Sequence, residues 1–181
     1  ANLAHHTILF GPRYKELLTD IFDRGVLADD FSLYLHSPSV TDPSLAPAGH
    51  STHYVLAPVP HMGSHSVNWE TAGPLLRDRI LASIEARCMP NLRSNMVTSR
   101  IFSPPDFEKE LNAWQGSAFS LQPTLLQSAW FRVHNRDRNI GGLYFVGAGT
   151  HPGAGIPGVV SSAKATAGLM QADWANNRIN R

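Results

Sequence analysis

The chain has 181 residues, 43% of them hydrophobic, enough for a packed core in one ordinary domain and unlike a disordered polymer. Lys and Arg number 15 against 14 Asp and Glu, a formal charge of +1, so there is no basic field of the kind nucleic-acid binding rests on and no acidic tail for a cationic partner. The single cysteine, Cys88, closes no internal disulfide; with no leader-like pattern at the start, a reducing cytoplasmic setting is expected.

Thr7-Ile8-Leu9-Phe10 reads as a strand close to a start, Ala1, that is not Met, so the chain is expected to be a fragment. From Pro12 to Gly25, Tyr14, Leu17, Leu18, Ile21 and Phe22 recur on one helical face, with Pro12 at the first helical position and Gly25 as the C-terminal cap. Phe31–His36 and His53–Pro58 read as strands, joined by a Pro/Ser/Gly-rich loop over residues 37–52 rather than a tight hairpin. A second helix is expected over Pro74–Cys88, where Leu76, Ile80, Ile84 and Cys88 recur every fourth position.

Met96–Phe102 then reads as a strand. Ser103-Pro104-Pro105-Asp106 starts a third helix, with Ser103 as cap, Pro104 losing no useful N–H, and Phe107, Leu111 and Trp114 turned to the core. Beyond an aromatic-punctuated stretch comes a polar turn, His134–Asn139, then the strand Leu143–Val146, a glycine-rich turn and a last helix, Gly158–Trp174. Its Ala, Ser and Gly suit close packing on a sheet or a ligand. Apolar runs near Val55–Val59 and Leu143–Val146 are far shorter than the roughly 20 residues a membrane span needs, so the chain is expected to touch a membrane without crossing it.

Gly153, Gly155 and Gly158 formally satisfy G-x-G-x-x-G between a strand and a helix. A dinucleotide-binding unit would continue into a second parallel strand with an acidic residue near its end, whereas here the sequence ends at Arg181. The glycines also stand well beyond the strand, with Pro152 and Pro157 between them. The remaining content is physical: glycines admit close backbone approach, and a helix start offers unpaired N–H donors and partial positive charge. Such an end suits an anion; in a flavin enzyme that anion would be the N1–C2=O region of the reduced ring. The bland alternative is that the glycines serve only sharp turns and close packing.

At Leu143-Tyr144 and from Val146 through Met170, the sequence resembles the C-terminal signature of bacterial and fungal phytoene desaturases. Phe31–His36, Tyr54–His61, Gly116–Ser120 and Gln127–Arg132 agree as well, so the resemblance runs along nearly the whole chain. It implies an α/β (α+β) portion of a two-domain FAD-dependent oxidoreductase. Residues 1–125 would belong to the substrate domain, and residues 126–181 would be the last strand–loop–helix of the FAD domain. The family's N-terminal G-x-G-x-x-G half is absent from this chain.

The resemblance places Gly147, Ala148, Gly149, Thr150, His151 and Pro152 along the ribityl chain and ring of FAD, and Ile156, Pro157, Gly158 and Val159 beneath the flavin. It further implies stepwise desaturation of phytoene towards lycopene by a protein peripheral to the cytoplasmic membrane, with quinone or oxygen as electron acceptor. The chain alone would be inactive. A related carotenoid isomerase, ketolase or C30 desaturase, or a non-catalytic apolar-ligand module, are the alternatives.

No catalytic residue is assigned. His151 is read as shaping its turn rather than as an acid or base, and His134, Arg136, Asp137 and Arg138 as a solvated turn. Among the nine histidines, His5, His6, His50, His53, His61 and His65 invite a metal reading. The pairs His50/His53 and His61/His65 lie in extended or Pro/Gly-rich stretches where that spacing does not converge, and no Cys or carboxylate cluster joins them, so no metal is expected. Ser117, Ser120 and Ser128 lack a G-x-S-x-G elbow, which disfavours a hydrolase. Trp114, Phe119, Trp130 and Phe131 are assigned to the core, with an apolar tunnel for a polyene as the alternative.

Overall fold

A computed structural model describes residues 3–63 and 67–176. These fall into two compact units, Ala1–Gly116 and Ser117–Arg181. Within the second unit the Arg132 guanidinium ties Leu121 and Gln127 to the glycine-rich segment at Ala148.

The first unit mixes helices with a small antiparallel sheet of order β1-β2-β3, comprising β1 (His6–Leu9), β2 (Leu33–His36) and β3 (Tyr54–Leu56). Register places His6 opposite His36, Leu9 opposite Leu33 and Tyr34 opposite Leu56. The period-2 pattern puts Leu33 and Leu35 on the same face, and both are buried. Helix α1 (Lys15–Phe22) turns Leu17, Asp20 and Ile21 inward, while Tyr14 and Phe22, expected on that face, are exposed. Asp20 is tolerated inside because Arg13 and Arg24 pair with it at 3.0 and 2.9 Å. Pro12 stands outside the helix, which ends at Phe22 with Asp23 as its C-cap rather than Gly25; Gly25, at φ +63°, turns the chain two residues later, and Val26 N–H donates to Asp20 O.

Helix α2 (Trp69–Arg87) starts ahead of the expected Pro74. Asn68 caps it, its Oδ1 accepting from Glu70 and Thr71 N–H at 3.1 and 3.4 Å. Pro74 then lies within the helix on an exposed face, forgoing one backbone bond. Leu76 and Ile84 are buried along the expected stripe, and Ile84 joins Leu9 and Leu33 as the core, flanked by Phe31, Val55, Ile80, Cys88 and Met89.

Met96–Phe102 is no strand: a short 3-10 turn, Arg93–Asn95, leads into unpaired backbone with Met96 and Val97 exposed. Helix α3 (Pro104–Leu111) begins as expected, with Asp106 accepting from Ser103 N–H at 2.7 Å and from the Ser103 hydroxyl. Phe107 packs edge-on against Phe102, but Leu111 and Trp114 are exposed, contrary to their core assignment. Left-handed Asn112 ends the helix one turn too early to carry Trp114 inward.

In the second unit, Leu143–Val146 forms no regular strand. A single bridge, Arg136 with Tyr144, is its pairing among the described residues, and Val133 makes another with Thr150 further along. Helix α4 (Ile156–Ala175) follows, starting two residues before the expected Gly158. Its buried positions are Ser162, Thr166 and Asp173, while Ile156, Val160 and Trp174 are exposed. Phe119, Trp130 and Phe131 are also exposed rather than core. No described helix is long and apolar enough to cross a membrane.

Candidate functional site

The turn between Gly147 and Gly158 needs its glycines for two different reasons. Gly147, Gly153 and Gly155 adopt φ of +115°, +142° and +88°, which side-chain-bearing residues avoid. Gly158 has ordinary backbone, but a Cβ there would lie 2.5 Å from Gly153 O, so its hydrogen lets the turn fold against the helix. The spacing that formally resembles a nucleotide fingerprint is thus used in part to close the loop on itself. The His151–Pro152 peptide is cis.

A buried polar cluster holds this turn. Ser162 Oγ, fully buried, accepts from Gly147 N–H at 3.1 Å and from Asn135 Nδ2 at 2.9 Å, and lies 2.7 Å from Thr150 Oγ1. Asn135 also donates to His151 O, and Thr166 to Phe145 O. Arg132, 3% exposed, donates to Ala148 O through Nε (2.9 Å) and one terminal nitrogen (2.6 Å), and to Gln127 O at 2.9 Å. At the far end of α4, Asp173 accepts from Arg136 and from the Tyr144 hydroxyl, the latter at 2.9 Å. Burial, then the bond to Asp173, pushes the Tyr144 phenol above its ordinary pKa. Arg136 is therefore part of the framework and not of a solvated turn.

The start of α4 remains presentable to a ligand. Gly155 is its N-cap and offers no side-chain oxygen, so the N–H groups of Ile156 and Gly158 precede the first i to i−4 acceptor, and Pro157 has none to give. A Cβ at Gly147 or Gly155 would meet nothing within 4 Å. Around this opening Val146, Ile156 and Val160 are exposed at 58, 83 and 64%. Free donors beside an uncovered apolar surface fit the edge and face of a flat heteroaromatic ring.

The model of the flavin containing amine oxidoreductases matches residues 16–171. The chain belongs to that family. Such enzymes are flavoproteins, and the open helix start with its apolar rim agrees with a flavin. The chain is 66% identical over 97% of its length to a lycopene-forming phytoene desaturase of Paracoccus, covering 35% of that protein. It is 64% identical over 94% of its length to the corresponding enzyme of Pantoea ananas, again covering 35%. A 4,4'-diapophytoene desaturase of Staphylococcus haemolyticus is 42% identical over 93% of the chain, with 34% of that protein covered. The chain thus spans about a third of the length of the curated relatives it matches.

Of the residues singled out in the sequence, Gly147, Ala148, Gly149, Thr150, His151 and Pro152 form the turn, and Ile156, Pro157, Gly158 and Val159 the first turn of α4. Thr150 is buried in the polar cluster and faces the framework. His151 donates Nδ1–H to Ala129 O at 2.9 Å and its backbone N–H to Val133 O at 2.8 Å. Sequence reasoning missed Arg132, Asn135, Ser162, Thr166 and Asp173. The signal for the last three was their spacing along α4: positions 162, 166 and 173 share a face at helical period. His65 lies outside the described residues.

Proposed function

We propose that this chain is the C-terminal part of an FAD-dependent desaturase that converts phytoene towards lycopene, and that it supplies the ring-side wall of the flavin site. The observation that carries this is the graded likeness just given, which is greatest for lycopene-forming phytoene desaturases and falls for the relative named for 4,4'-diapophytoene. When bound, the flavin supplies the acceptor for the hydrogen removed from an allylic C–H bond. The N–H groups of Ile156 and Gly158 would hold its N1–C2=O edge, with the partial charge of the helix start favouring electron density there.

Val146, Ile156, Val159 and Val160 would exclude water from the ring and the polyene. Arg132, Asn135 and Ser162 keep the Gly147–Pro152 backbone in the conformation that the ribityl chain and ring require. Exposed Leu125, Leu126, Trp130 and Phe131 suit contact with a bilayer that dissolves the substrate. The protein would act at the cytoplasmic face of a membrane and pass electrons to quinone or oxygen.

The complete protein, reconstituted with FAD and phytoene-loaded liposomes under air or with a quinone, should yield the lycopene series and carry flavin absorbance. Gly158→Val should lose both. Flavin retention with phytoene unconsumed, and turnover of a C30 polyene or another carotenoid instead, would overturn the substrate assignment; unchanged flavin occupancy in Gly158→Val would overturn the assignment of this wall.

A further inference from the structure

Three imidazoles meet at one end of the sheet. His5 precedes β1, His6 opens it, and His36 closes β2 directly opposite His6. The ladder continues one step further, Ser37 N–H donating to His5 O at 2.8 Å, so His36 is held beside both residues. One ring nitrogen from each of the three lies within 4.8 Å of the other two. The ring centroids of His5 and His36 are 4.7 Å apart, those of His5 and His6 4.4 Å.

We propose that His5, His6 and His36 form a three-imidazole site for a borderline divalent transition-metal ion such as Zn2+, with water in the fourth position. Zn2+ and its neighbours in the series favour imidazole nitrogen, and three protein ligands plus water is a normal tetrahedral set. A tetrahedral ion with bonds of about 2.0–2.1 Å holds its nitrogens roughly 3.3–3.4 Å apart. His5 Nε2 and His36 Nε2 stand 2.8 Å apart, so small side-chain movements reach that spacing. His6 and His36 have ring planes 22° from parallel, so one must turn about χ2 to aim its lone pair, a torsion with a broad minimum.

The surroundings set the tautomers that ligation needs. Thr41 Oγ1 lies 2.5 Å from His5 Nδ1, and Tyr34 OH 2.7 Å from His6 Nδ1. With each hydroxyl accepting an Nδ1–H, both rings present Nε2 as a lone pair, the arrangement in which metal-ligating histidines are usually anchored. The contact between His5 Nε2 and His36 Nε2 needs one proton between two nitrogens; a metal ion replaces it once His36 moves that proton to Nδ1. His5 and His36 are half-buried and His6 is exposed, leaving an approach from solvent. By contrast His53 has both ring nitrogens beside serine hydroxyls, Ser37 and Ser51, each at 2.9 Å.

The test is titration of the complete, chelator-treated protein with Co2+ and Zn2+, followed by calorimetry and by the visible absorption of four-coordinate Co2+. One equivalent should bind, with Zn2+ displacing Co2+. Removing a ligand in His6→Gln or His36→Gln should weaken binding by at least tenfold, and Thr41→Val by roughly tenfold through loss of the anchor. His50→Gln, outside the cluster, should bind as the parent does. Absence of stoichiometric binding by the parent protein would overturn the site whatever the variants do. Binding of unchanged affinity in both ligand variants, with far-UV circular dichroism showing them folded, would overturn it too.

Discussion

Replacing Ser162 by Ala tests whether the polar cluster under α4 holds the glycine turn. Ser162 Oγ is the acceptor for Gly147 N–H, and it also takes one of several bonds made by the Asn135 amide. Asn135 keeps Phe145 O and His151 O as acceptors, so the loss falls mainly on Gly147. An orphaned, partly buried N–H costs about 1–3 kcal/mol, and the half-buried position of Gly147 puts the expected value at about 1–2 kcal/mol. Local opening of the turn should become roughly 5- to 30-fold more frequent. Amide hydrogen exchange of a peptide covering residues 143–150 in the complete protein reads this directly. Ser161→Ala is the control, since Ser161 is exposed on the same helix and undergoes the same change in helix propensity. Exchange in Ser162→Ala within twofold of Ser161→Ala would refute the reasoning.

Arg132→Lys should cost about 2 kcal/mol in urea denaturation, because a compact ammonium cannot span the carbonyls of Ala148, Gln127 and Leu121 that the guanidinium fork reaches; a loss below about 0.5 kcal/mol would contradict the clamp. The Ser103 hydroxyl, then the Ser103 N–H, hold the Asp106 carboxyl below its ordinary pKa. A depressed carboxyl contributes stability above the unfolded value, near 3.9, that is lost as pH falls through the folded value. Protection of α3 against exchange should therefore drop below about pH 4. Asp106→Asn should abolish that acid dependence and cost about 0.5–1 kcal/mol at neutral pH.

The parts of this fold visible in the sequence are those decided within a few residues. The Ser103–Asp106 cap, the extended runs of the sheet and the strand-like approach to a glycine turn are all local patterns. Two local signals compete at the start of α2: Pro74 suits a first helical position, but Asn68-Trp69-Glu70 carries a cap that lets the helix begin earlier. Met96–Phe102 has the composition of a strand, but pairing needs a free edge and a core to cover, and neither is encoded nearby. The polar stripe of α4 carries no hydrophobic signal of burial, because Asn135, Arg136 and Tyr144 satisfy it from a distant segment. The meeting of His36 with His5 and His6 depends on strand register, which no single segment reveals. For the site, the glycines and the start of α4 were legible; the residues that hold them were not.

The inward face of α4 has one further consequence. Apolar contacts tolerate sliding, but hydrogen bonds to Asn135, Phe145 O and Arg136 are directional, and a rotation by one residue, about 100°, would break them together. The helix is thereby indexed about its own axis, like a shaft located by a key. Its first turn can present backbone donors in only one azimuth, so the chain sets the aim of those donors through residues up to four turns away.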